Sequence, residues 1–224
     1  MLNKYKHIIW DWNGTLLDDV TLSVDIINGI LTRRNLKILT LEEYKNIFTF
    51  PVREYYIKIG LDFTKYPFEE LGIEWMNEYE RRRSECNLHT EAERILNHIS
   101  GLGIEQSILS AYPHKTLIEI VKHHNVDSFF TYLVGLDHIY ASSKIELGKI
   151  LIEKLDHSRG EILLIGDTVH DFEVANEIGA DCILVAEGHQ SKEKLLKCGT
   201  PVLDKLGDLY LKSAQNQTKT ENNG

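Results

Sequence analysis

Two aspartates follow short apolar runs that have the length and composition of buried strands. Asp11 ends the first run and opens the segment Asp-Trp-Asn-Gly-Thr-Leu-Leu, and Asp167 ends a much later run, with Asp171 four residues further on. Ligands of open α/β sheets bind at the carboxyl ends of the strands. If both runs belong to one sheet, the carboxylates of Asp11 and Asp167 can face one another and form a ligand site. The alternative is that Asp11 closes a strand and that Asn13 and Gly14 make a turn.

The composition excludes several classes of function. The chain has 224 residues, of which 42% are hydrophobic, and its formal net charge of −9 argues against binding to nucleic-acid phosphates. A chain of this length can bury a full core, either as one domain or as a domain with a smaller insertion. No apolar run approaches the ~20 residues that span a bilayer, and the N terminus lacks a secretory apolar segment. We therefore expect a cytoplasmic monomer or homodimer, with neither nucleic acid nor membrane as a partner.

Helical patterns, with no convincing strand, fill the segment that follows the first motif. Apolar residues recur there at helical spacing, and a capping box and a proline mark two of the helix starts. The segment 16–88 is therefore expected to be a helical cap domain inserted after the first strand. Its predicted helices span residues 18–34, begin at Thr40, begin at Pro51 and span residues 68–85.

Strands and helices alternate from Thr90 onward, and this alternation builds a parallel sheet. We expect an α/β fold: a Rossmann-like parallel sheet core, residues 1–15 and 89–212, with helices on both faces and the inserted helical cap domain. Residues 213–224 have almost no apolar side chains and are expected to be a disordered tail. The predicted strands are 104–110, 132–135, 161–167 and 181–185, and the predicted helices are 90–100, 113–124, 142–155 and 169–178.

Four motifs, in order along the chain, resemble those of the haloacid dehalogenase superfamily. They are Asp11-Trp-Asn-Gly-Thr15, Ser110 at the end of a strand, Lys144 before the next helix, and Gly166-Asp-Thr-Val-His-Asp171. Ser110 or Lys144 alone would mean little, but the four together at matching strand ends are specific. The resemblance covers residues 5–190, and the helical insertion is similar to the cap of the phosphoglycolate phosphatase-like branch.

The resemblance implies a magnesium-dependent phosphatase that acts on a small phosphorylated metabolite such as phosphoglycolate. Asp11 would attack phosphorus and form an aspartyl-phosphate, which divides one difficult displacement into two. Mg²⁺ prefers oxygen ligands, and Lys144 would neutralise charge between the nucleophile and the phosphate. The implied metal site comprises Asp11, the backbone carbonyl of Asn13, Asp167 and Asp171, the last as the residue that orients it. The implied substrate contacts are Thr15, Ser110, Ala111, Lys144 and, in the cap, Arg53.

Several of these residues also have an ordinary structural interpretation. Lys144 fits a solvated lysine at a helix start, and Asp171 fits an acid that the helix dipole favours at a helix N terminus. Arg53 fits a solvated helix residue. His170, between the two late acids, could face the site or could simply be an exposed residue at a helix start.

Asn13 departs from the family pattern. Phosphatases of this family usually have a second aspartate two residues after the nucleophile, which protonates the leaving group and then activates water. An amide cannot exchange a proton at neutral pH, and general acid–base catalysis is typically worth ~10² to 10⁴ in rate. We therefore expect a slower phosphatase, in which Asn13→Asp raises the turnover of alkyl phosphates by roughly 10²-fold or more.

Two alternatives remain open on the sequence. A sugar-phosphate mutase would need the missing aspartate, and a phosphonate-cleaving enzyme would need a cap lysine such as Lys37 or Lys58 as a Schiff base. A binding or regulatory protein would capture phosphorylated ligands without turnover. Asn13 favours the binding protein, whereas Asp11, Lys144 and Asp167 favour an enzyme.

Overall fold

Within residues 2–136 and 143–210, which the computed structural model describes, six parallel strands form one sheet and two short strands form an antiparallel pair. The strands are β1 (His7–Trp10), β2 (Leu17–Asp18), β3 (Asn87–Leu88), β4 (Glu105–Pro113), β5 (Tyr132–Leu136), β6 (Ile162–Gly166), β7 (Asp181–Val185) and β8 (Val202–Leu203). The order in the large sheet is β5-β4-β1-β6-β7-β8. Every residue of β1 and β6 is buried, which explains why both read as continuous apolar runs in the sequence.

Helices cover both faces of the sheet. Four of them lie between β2 and β3, and the others alternate with the strands that follow. They are α1 (Val20–Arg33), α2 (Leu41–Ile47), α3 (Val52–Lys58), α4 (Phe68–Arg82), α5 (Ala92–Gly101), α6 (His114–His123), α7 (Lys144–Lys154), α8 (Val169–Ile178) and α9 (Lys192–Leu195).

Successive residues of β1 point into two separate cores, as the alternation of side chains along a strand requires. Ile8 and Trp10 pack in one cluster with apolar residues of α5 and α6, whereas Ile9 packs in a second cluster with α7 and α8. The α/β fold with helices on both faces of a parallel sheet is therefore confirmed.

The antiparallel pair β2–β3 was not expected, because the sequence shows no convincing strand between residues 18 and 88. Each strand has only two residues, and such a strand is too short to show a period. Leu17 pairs with Leu88, and Asp18 pairs with Asn87. The two ends of the helical insertion (residues 19–86) therefore lie side by side, next to the β2–β3 pair. That the insertion is a separate domain stays a prediction.

The other differences from the expected elements are small. The strand that was expected to end at Ser110 continues as β4 to Pro113, with a register shift between Leu109 and Pro113. The short elements α9 and β8 were not expected. The capping box of Thr40 and Glu43 is present at the start of α2. The expected helix start at Ser142 and the expected tail, residues 213–224, lie outside the described residues.

Helix α2 joins the insertion to the core segment 186–194. The Lys45 ammonium donates to two backbone carbonyls of this segment, and the backbone N–H of Ser191 donates to the Lys45 carbonyl at 3.1 Å. Gln190 Nε2 donates to the Phe48 carbonyl at 3.1 Å. Across the described parts of the chain, no helix has the length and apolarity to cross a membrane.

Candidate active site

Asp11 and Asp167 lie at the carboxyl ends of the neighbouring strands β1 and β6. The register pairs Trp10 with Ile165, and the backbone N–H of Asp11 donates to the Ile165 carbonyl at 2.9 Å. Carboxylate oxygens of Asp11, Asp167 and Asp171 lie within 4.8 Å of one another, and all three residues are buried. The two strand ends therefore face a common site.

Lys144, the first residue of α7, lies between two of these carboxylates. Its Nζ atom is 2.5 Å from Asp11 Oδ1 and 2.5 Å from Asp171 Oδ1, and only 4% of its side chain is exposed. Burial disfavours the charged ammonium, but Asp11 and Asp171 outweigh this effect and raise the pKa of Lys144 above its usual range. The lysine is thus a buried cation in contact with the site and not a solvated residue at a helix start.

Asp171 contacts both the start of α8 and Lys144. Its Oδ2 atom accepts hydrogen bonds from the backbone N–H and the hydroxyl of Thr168, at 2.9 and 2.6 Å, and completes a capping box at the start of α8. Its Oδ1 atom pairs with Lys144. Burial raises the pKa of Asp171, but Lys144 and the Thr168 donors outweigh burial and hold this pKa below its usual range. Asp171 therefore fixes the lysine and the helix start together.

Buried negative charge is in excess at this site. Burial raises the pKa of Asp11 to about 6, although Lys144 opposes the shift, and burial raises the pKa of Asp167 to about 7. Hard divalent cations such as Mg²⁺ prefer oxygen donors, above all carboxylates. The donor set of buried carboxylates beside the backbone at Asn13 therefore fits such an ion, whose charge would offset the excess.

Thr15 and Gly14 shape the loop that follows Asp11. The Thr15 hydroxyl lies 3.2 Å from both Asp11 Oδ2 and Asp167 Oδ1, so it connects the two strand ends. Gly14 has a φ of +77°, and a Cβ atom there would lie 2.5 Å from Asp167 Oδ2. Only glycine allows this backbone conformation and this approach.

A cavity of about 290 Å³ lies between this edge of the sheet and the helical insertion. Ser110 and Ala111 of β4 line it, and Ser110 Oγ accepts a hydrogen bond from the backbone N–H of Tyr112 at 3.1 Å. His170 also lines the cavity, with its ring 5.1 Å from that of Phe50. The residues predicted from the motifs that line it are Asp11, Asn13, Ser110, Ala111, Lys144, Asp167 and Asp171.

Arg53 is not brought to this cavity. Its guanidinium lies 4.6 Å from the centre of the Phe63 ring and 5.1 Å from that of Phe68, and the residue is exposed. Arg53 is absent from the described residues that line the cavity. Its observed contacts are cation–π contacts at the surface of the insertion.

A hydrogen-bond network around Asn13 was not foreseen from the sequence. Asn13 Nδ2 donates to Asp19 Oδ2 at 2.9 Å and to the Tyr79 hydroxyl at 2.6 Å, and this hydroxyl donates to Asp19 Oδ2 at 2.6 Å. Asp19 Oδ1 lies 3.1 Å from His189 Nε2, and His189 Nδ1 lies 2.9 Å from the Tyr44 hydroxyl. The network thus joins the loop after β1 to the insertion and to the segment after β7.

His189 connects this network to the acidic cluster. Its backbone N–H donates to Asp167 Oδ2 at 2.5 Å. Burial alone would lower the pKa of its ring, but the Asp19 carboxylate outweighs burial and raises this pKa to about 9. The imidazole is therefore a cation at neutral pH and forms a buried ion pair with Asp19. The Gly-His pair after the strand 181–185 marks a further strand end, which is the signal that could have pointed to His189.

The chain is similar to known hydrolases in sequence and in fold. The model of the haloacid dehalogenase-like hydrolases matches residues 8–185. No curated protein matches the sequence. Similar solved structures include a haloacid dehalogenase-like hydrolase from Streptococcus pneumoniae, with TM-score 0.80, 16% identity, and coverage of 93% of this chain and 98% of that chain. A predicted phosphatase from Clostridium acetobutylicum has TM-score 0.76, 19% identity, and coverage of 94% and 99%. A predicted phosphoglycolate phosphatase from Haemophilus somnus has TM-score 0.72, 17% identity, and coverage of 94% and 98%.

Proposed function

The chain belongs to the haloacid dehalogenase-like hydrolase family, and from this premise we propose that it is a magnesium-dependent phosphatase that acts on a small phosphorylated metabolite. The observation that carries the proposal is the contact of Lys144 with both Asp11 and Asp171 at the edge of the sheet. A buried carboxylate held by a buried ammonium, beside further carboxylates and next to a cavity, suits attack on an anionic phosphate ester. Similar structures that are named phosphatases support the same reading.

Asp11 would be the nucleophile of the first step. One of its carboxylate oxygens forms a bond to phosphorus, the bond from phosphorus to the ester oxygen breaks, and the leaving group departs with that electron pair. Lys144 keeps Asp11 ionised in a buried site and offsets the charge of the incoming phosphate. The Ser110 hydroxyl, which lines the cavity, would donate to a phosphate oxygen.

Asp11, the Asn13 carbonyl and Asp167 would hold Mg²⁺. Both oxygens of Asp171 have partners, Lys144 and Thr168, which supports an orienting role for this residue. When bound, the ion would offset the buried negative charge and polarise the phosphoryl group.

The second step returns the free enzyme. A water oxygen forms a bond to phosphorus, the bond between phosphorus and Asp11 breaks, and inorganic phosphate and a proton leave. The side chain of Asn13 cannot take this proton. Slow hydrolysis of the aspartyl-phosphate therefore accompanies the proposed mechanism.

Phosphate release over a metabolite panel, with Mg²⁺ and with a chelator, tests the proposal. Asp11→Asn should abolish release while circular dichroism shows a retained fold, and the chelator should abolish release reversibly. Asp18→Asn is a matched control, because Asp18 is a nearby but exposed acid outside the cavity lining. Release that persists both in Asp11→Asn and under chelation would exclude this mechanism.

Capture of phosphorylated ligands without turnover is the second candidate, and Asn13 is the observation that favours it. Stoichiometric phosphate-ester binding with no release from any compound would support this candidate. A phosphonate-cleaving enzyme has no support, because Lys37 pairs with Glu43 at the surface and Lys58 is absent from the described cavity lining. A cytoplasmic location and a monomeric or homodimeric state stay predictions.

A further inference from the structure

The helical insertion contributes an aromatic wall to the cavity. Its rings include Tyr44, Phe48, Phe50, Tyr55, Trp75 and Tyr79. These rings also contact one another: the Tyr44 and Phe48 centroids are 5.2 Å apart in a stacked pair, and those of Trp75 and Tyr79 are 4.9 Å apart. Other pairs meet edge to face, such as Phe48 and Phe50 at 5.4 Å. Because ring contacts of this kind fix the orientation of each ring, the wall is preformed.

No cation in this wall is available to a second anionic group of a substrate. Among the described residues that line the cavity, Lys144 alone is a lysine or arginine, and its ammonium contacts Asp11 and Asp171. His189 is paired with Asp19, and His170 Nδ1 lies 3.2 Å from Glu173 Oε2. Arg53 contacts Phe63 and Phe68 away from the cavity. A carboxylate such as that of phosphoglycolate would therefore be buried against aromatic rings without a counter-charge, which is strongly unfavourable.

Position 13 limits the leaving group independently of the wall. The Asn13 amide cannot protonate a departing oxygen, and its donors are directed to Asp19 and Tyr79. An alkoxide needs this proton, whereas a phenoxide is a weaker base and can leave without it. The aromatic wall and the Asn13 amide thus both favour an ester whose leaving group is an uncharged aromatic ring with a weakly basic oxygen.

We propose that the substrates are aryl phosphates, in which the phosphate is esterified to the hydroxyl of one uncharged, flat ring system. The cavity of about 290 Å³ is at the small end of ligand pockets, which suits a phosphoryl group with a single ring system. The inference rests on the proposed phosphatase function. As Asp11 bonds to phosphorus, the bond to the aryl oxygen breaks, and the aryl oxide leaves with the electron pair and takes its proton from solvent.

Steady-state kinetics on matched esters test this substrate class. We expect kcat/KM for phenyl phosphate to exceed that for phosphoglycolate by about 100-fold, the usual worth of a general acid, which phenyl phosphate does not need. A 4-carboxyl group on the ring should lower kcat/KM by about 10-fold, although it makes the aryl oxide a better leaving group, because the carboxylate meets no cation. Equal or higher kcat/KM for phosphoglycolate, or no loss from the 4-carboxyl group, would overturn the proposal.

A pair of identical substitutions tests the wall itself. Phe50→Leu removes a ring of the wall, and Phe63→Leu removes a ring of the same insertion that is absent from the described cavity lining. Phe50→Leu should lower kcat/KM for phenyl phosphate by about 3- to 10-fold, in line with the worth of a ring contact, and should lower that for acetyl phosphate less. Phe63→Leu should change neither by more than about 2-fold, as is usual away from the ligand. If Phe50→Leu lowered kcat/KM equally for phenyl phosphate and for acetyl phosphate, the proposed role of the wall would be overturned.

Acetyl phosphate and phosphonates separate failure of this inference from failure of the proposed function. Acetyl phosphate needs neither the ring wall nor an acid, so release from it shows that the phosphatase chemistry operates. Absence of phosphate release from every compound would overturn the proposed phosphatase function. Ligand binding would then test separately whether the cavity prefers an aryl group. Calorimetry should give tighter binding of phenylphosphonate than of phosphonoacetate, and the reverse order would overturn the aryl preference.

Discussion

The Asn13 amide donates a hydrogen bond to Asp19 at 2.9 Å, so the residue at the usual position of the acid–base aspartate is itself held by an aspartate. The Tyr79 hydroxyl lies 2.6 Å from both partners of this bond. A carboxylate at position 13 would lose the donor and would face Asp19 at hydrogen-bond distance. The Asn13 amide is therefore matched to its neighbours. We now expect Asn13→Asp alone to raise turnover by less than the sequence suggested.

A variant in which the residues at positions 13 and 19 are exchanged should regain the proton transfer that Asn13 cannot perform. We expect Asn13→Asp combined with Asp19→Asn to raise kcat for ethyl phosphate by roughly 10²-fold. Asn13→Asp alone should gain less, because two carboxylates at this distance share a proton and titrate as a pair. Asp19→Asn alone is the control and should show no gain. Intact-mass spectrometry must exclude deamidation of Asn13, which precedes glycine, and an exchange variant without gain would mean that another group transfers the proton.

The unaltered protein should show burst kinetics with an activated aryl phosphate. The first step needs little protonation of the leaving group, whereas hydrolysis of the aspartyl-phosphate has no base at Asn13. We expect about one equivalent of aryl alcohol per active site before a slower steady state, which is the behaviour of an accumulating covalent intermediate. Stopped-flow absorbance measures the burst, and the exchange variant should reduce it. A linear time course with rapid turnover would contradict the slow second step.

Removal of a buried charge at the proposed metal site should stabilise the metal-free protein. Asp167 is fully buried beside Asp11 and Asp171, and Lys144 contacts only the latter two. We expect Asp167→Asn to raise the Tm of the chelated protein by a few degrees, which corresponds to about 1–2 kcal/mol for a chain of this size. Mg²⁺ should raise the Tm of the unaltered protein and not that of the variant. Differential scanning calorimetry measures these Tm values. An Mg²⁺-dependent rise in Tm that persists in Asp167→Asn would mean that the ion binds elsewhere.

His7 should make stability depend on pH between about 4 and 6.5. Its ring is buried, with Nδ1 3.3 Å from Glu105 Oε2, Nε2 2.9 Å from Ser107 Oγ, and the His157 ring 5.9 Å away. Burial lowers the pKa of His7 to about 4, although Glu105 opposes the shift. The unfolded chain therefore binds more protons in this window, and the free energy of unfolding falls as the pH is lowered, by at most about 3 kcal/mol.

Urea unfolding at several pH values, with saturating Mg²⁺ so that the acidic cluster is paired, measures this contribution. His7→Gln should flatten the pH dependence between about 4 and 6.5, the window set by the two pKa values. His123→Gln is the control for the loss of one histidine, because His123 is exposed and lies outside the contacts of His7. An identical slope in His7→Gln and the unaltered protein would contradict the assignment.

Arg53→Ala should leave the ranking among substrates unchanged. The family resemblance pointed to Arg53 as a substrate contact, but its guanidinium lies over the rings of Phe63 and Phe68. We expect a loss of about 0.5–1 kcal/mol in the free energy of unfolding, the worth of an exposed cation–π contact. Competition assays with paired esters measure the ranking, and a changed ranking would return Arg53 to the substrate site.

The acidic cluster could be anticipated because its residues follow recognisable strands. Apolar runs marked β1 and β6, and parallel strands bring their carboxyl ends to one edge, so Asp11 and Asp167 could be expected at the same edge. The structure adds that β1 and β6 are adjacent. Lys144 and Asp171 came from the family motifs, and the structure brings their charged groups to 2.5 Å from one another; their roles stay predictions.

The network around Asn13 could not be anticipated, because its members come from distant parts of the chain. Tyr79 is 60 positions from Asp19, and His189 is 170 positions from it. No periodic pattern or motif connects such residues, since their approach depends on how the insertion packs on the core. The aromatic wall was hidden for the same reason: a ring at helical spacing shows that a helix has an apolar face, and not which cavity this face lines.

Tyr79 makes the helical insertion a poor candidate for modular exchange. The residue belongs to α4, yet its hydroxyl completes the hydrogen bonds of Asn13 in the loop after β1. A chimera that carried the helices of a relative on this sheet would leave that loop without its partner, unless the graft also brought a tyrosine to the same place. The loop after β1 and the helical insertion are therefore matched to each other, and a recombination event at the β2–β3 pair would separate Asn13 from Tyr79.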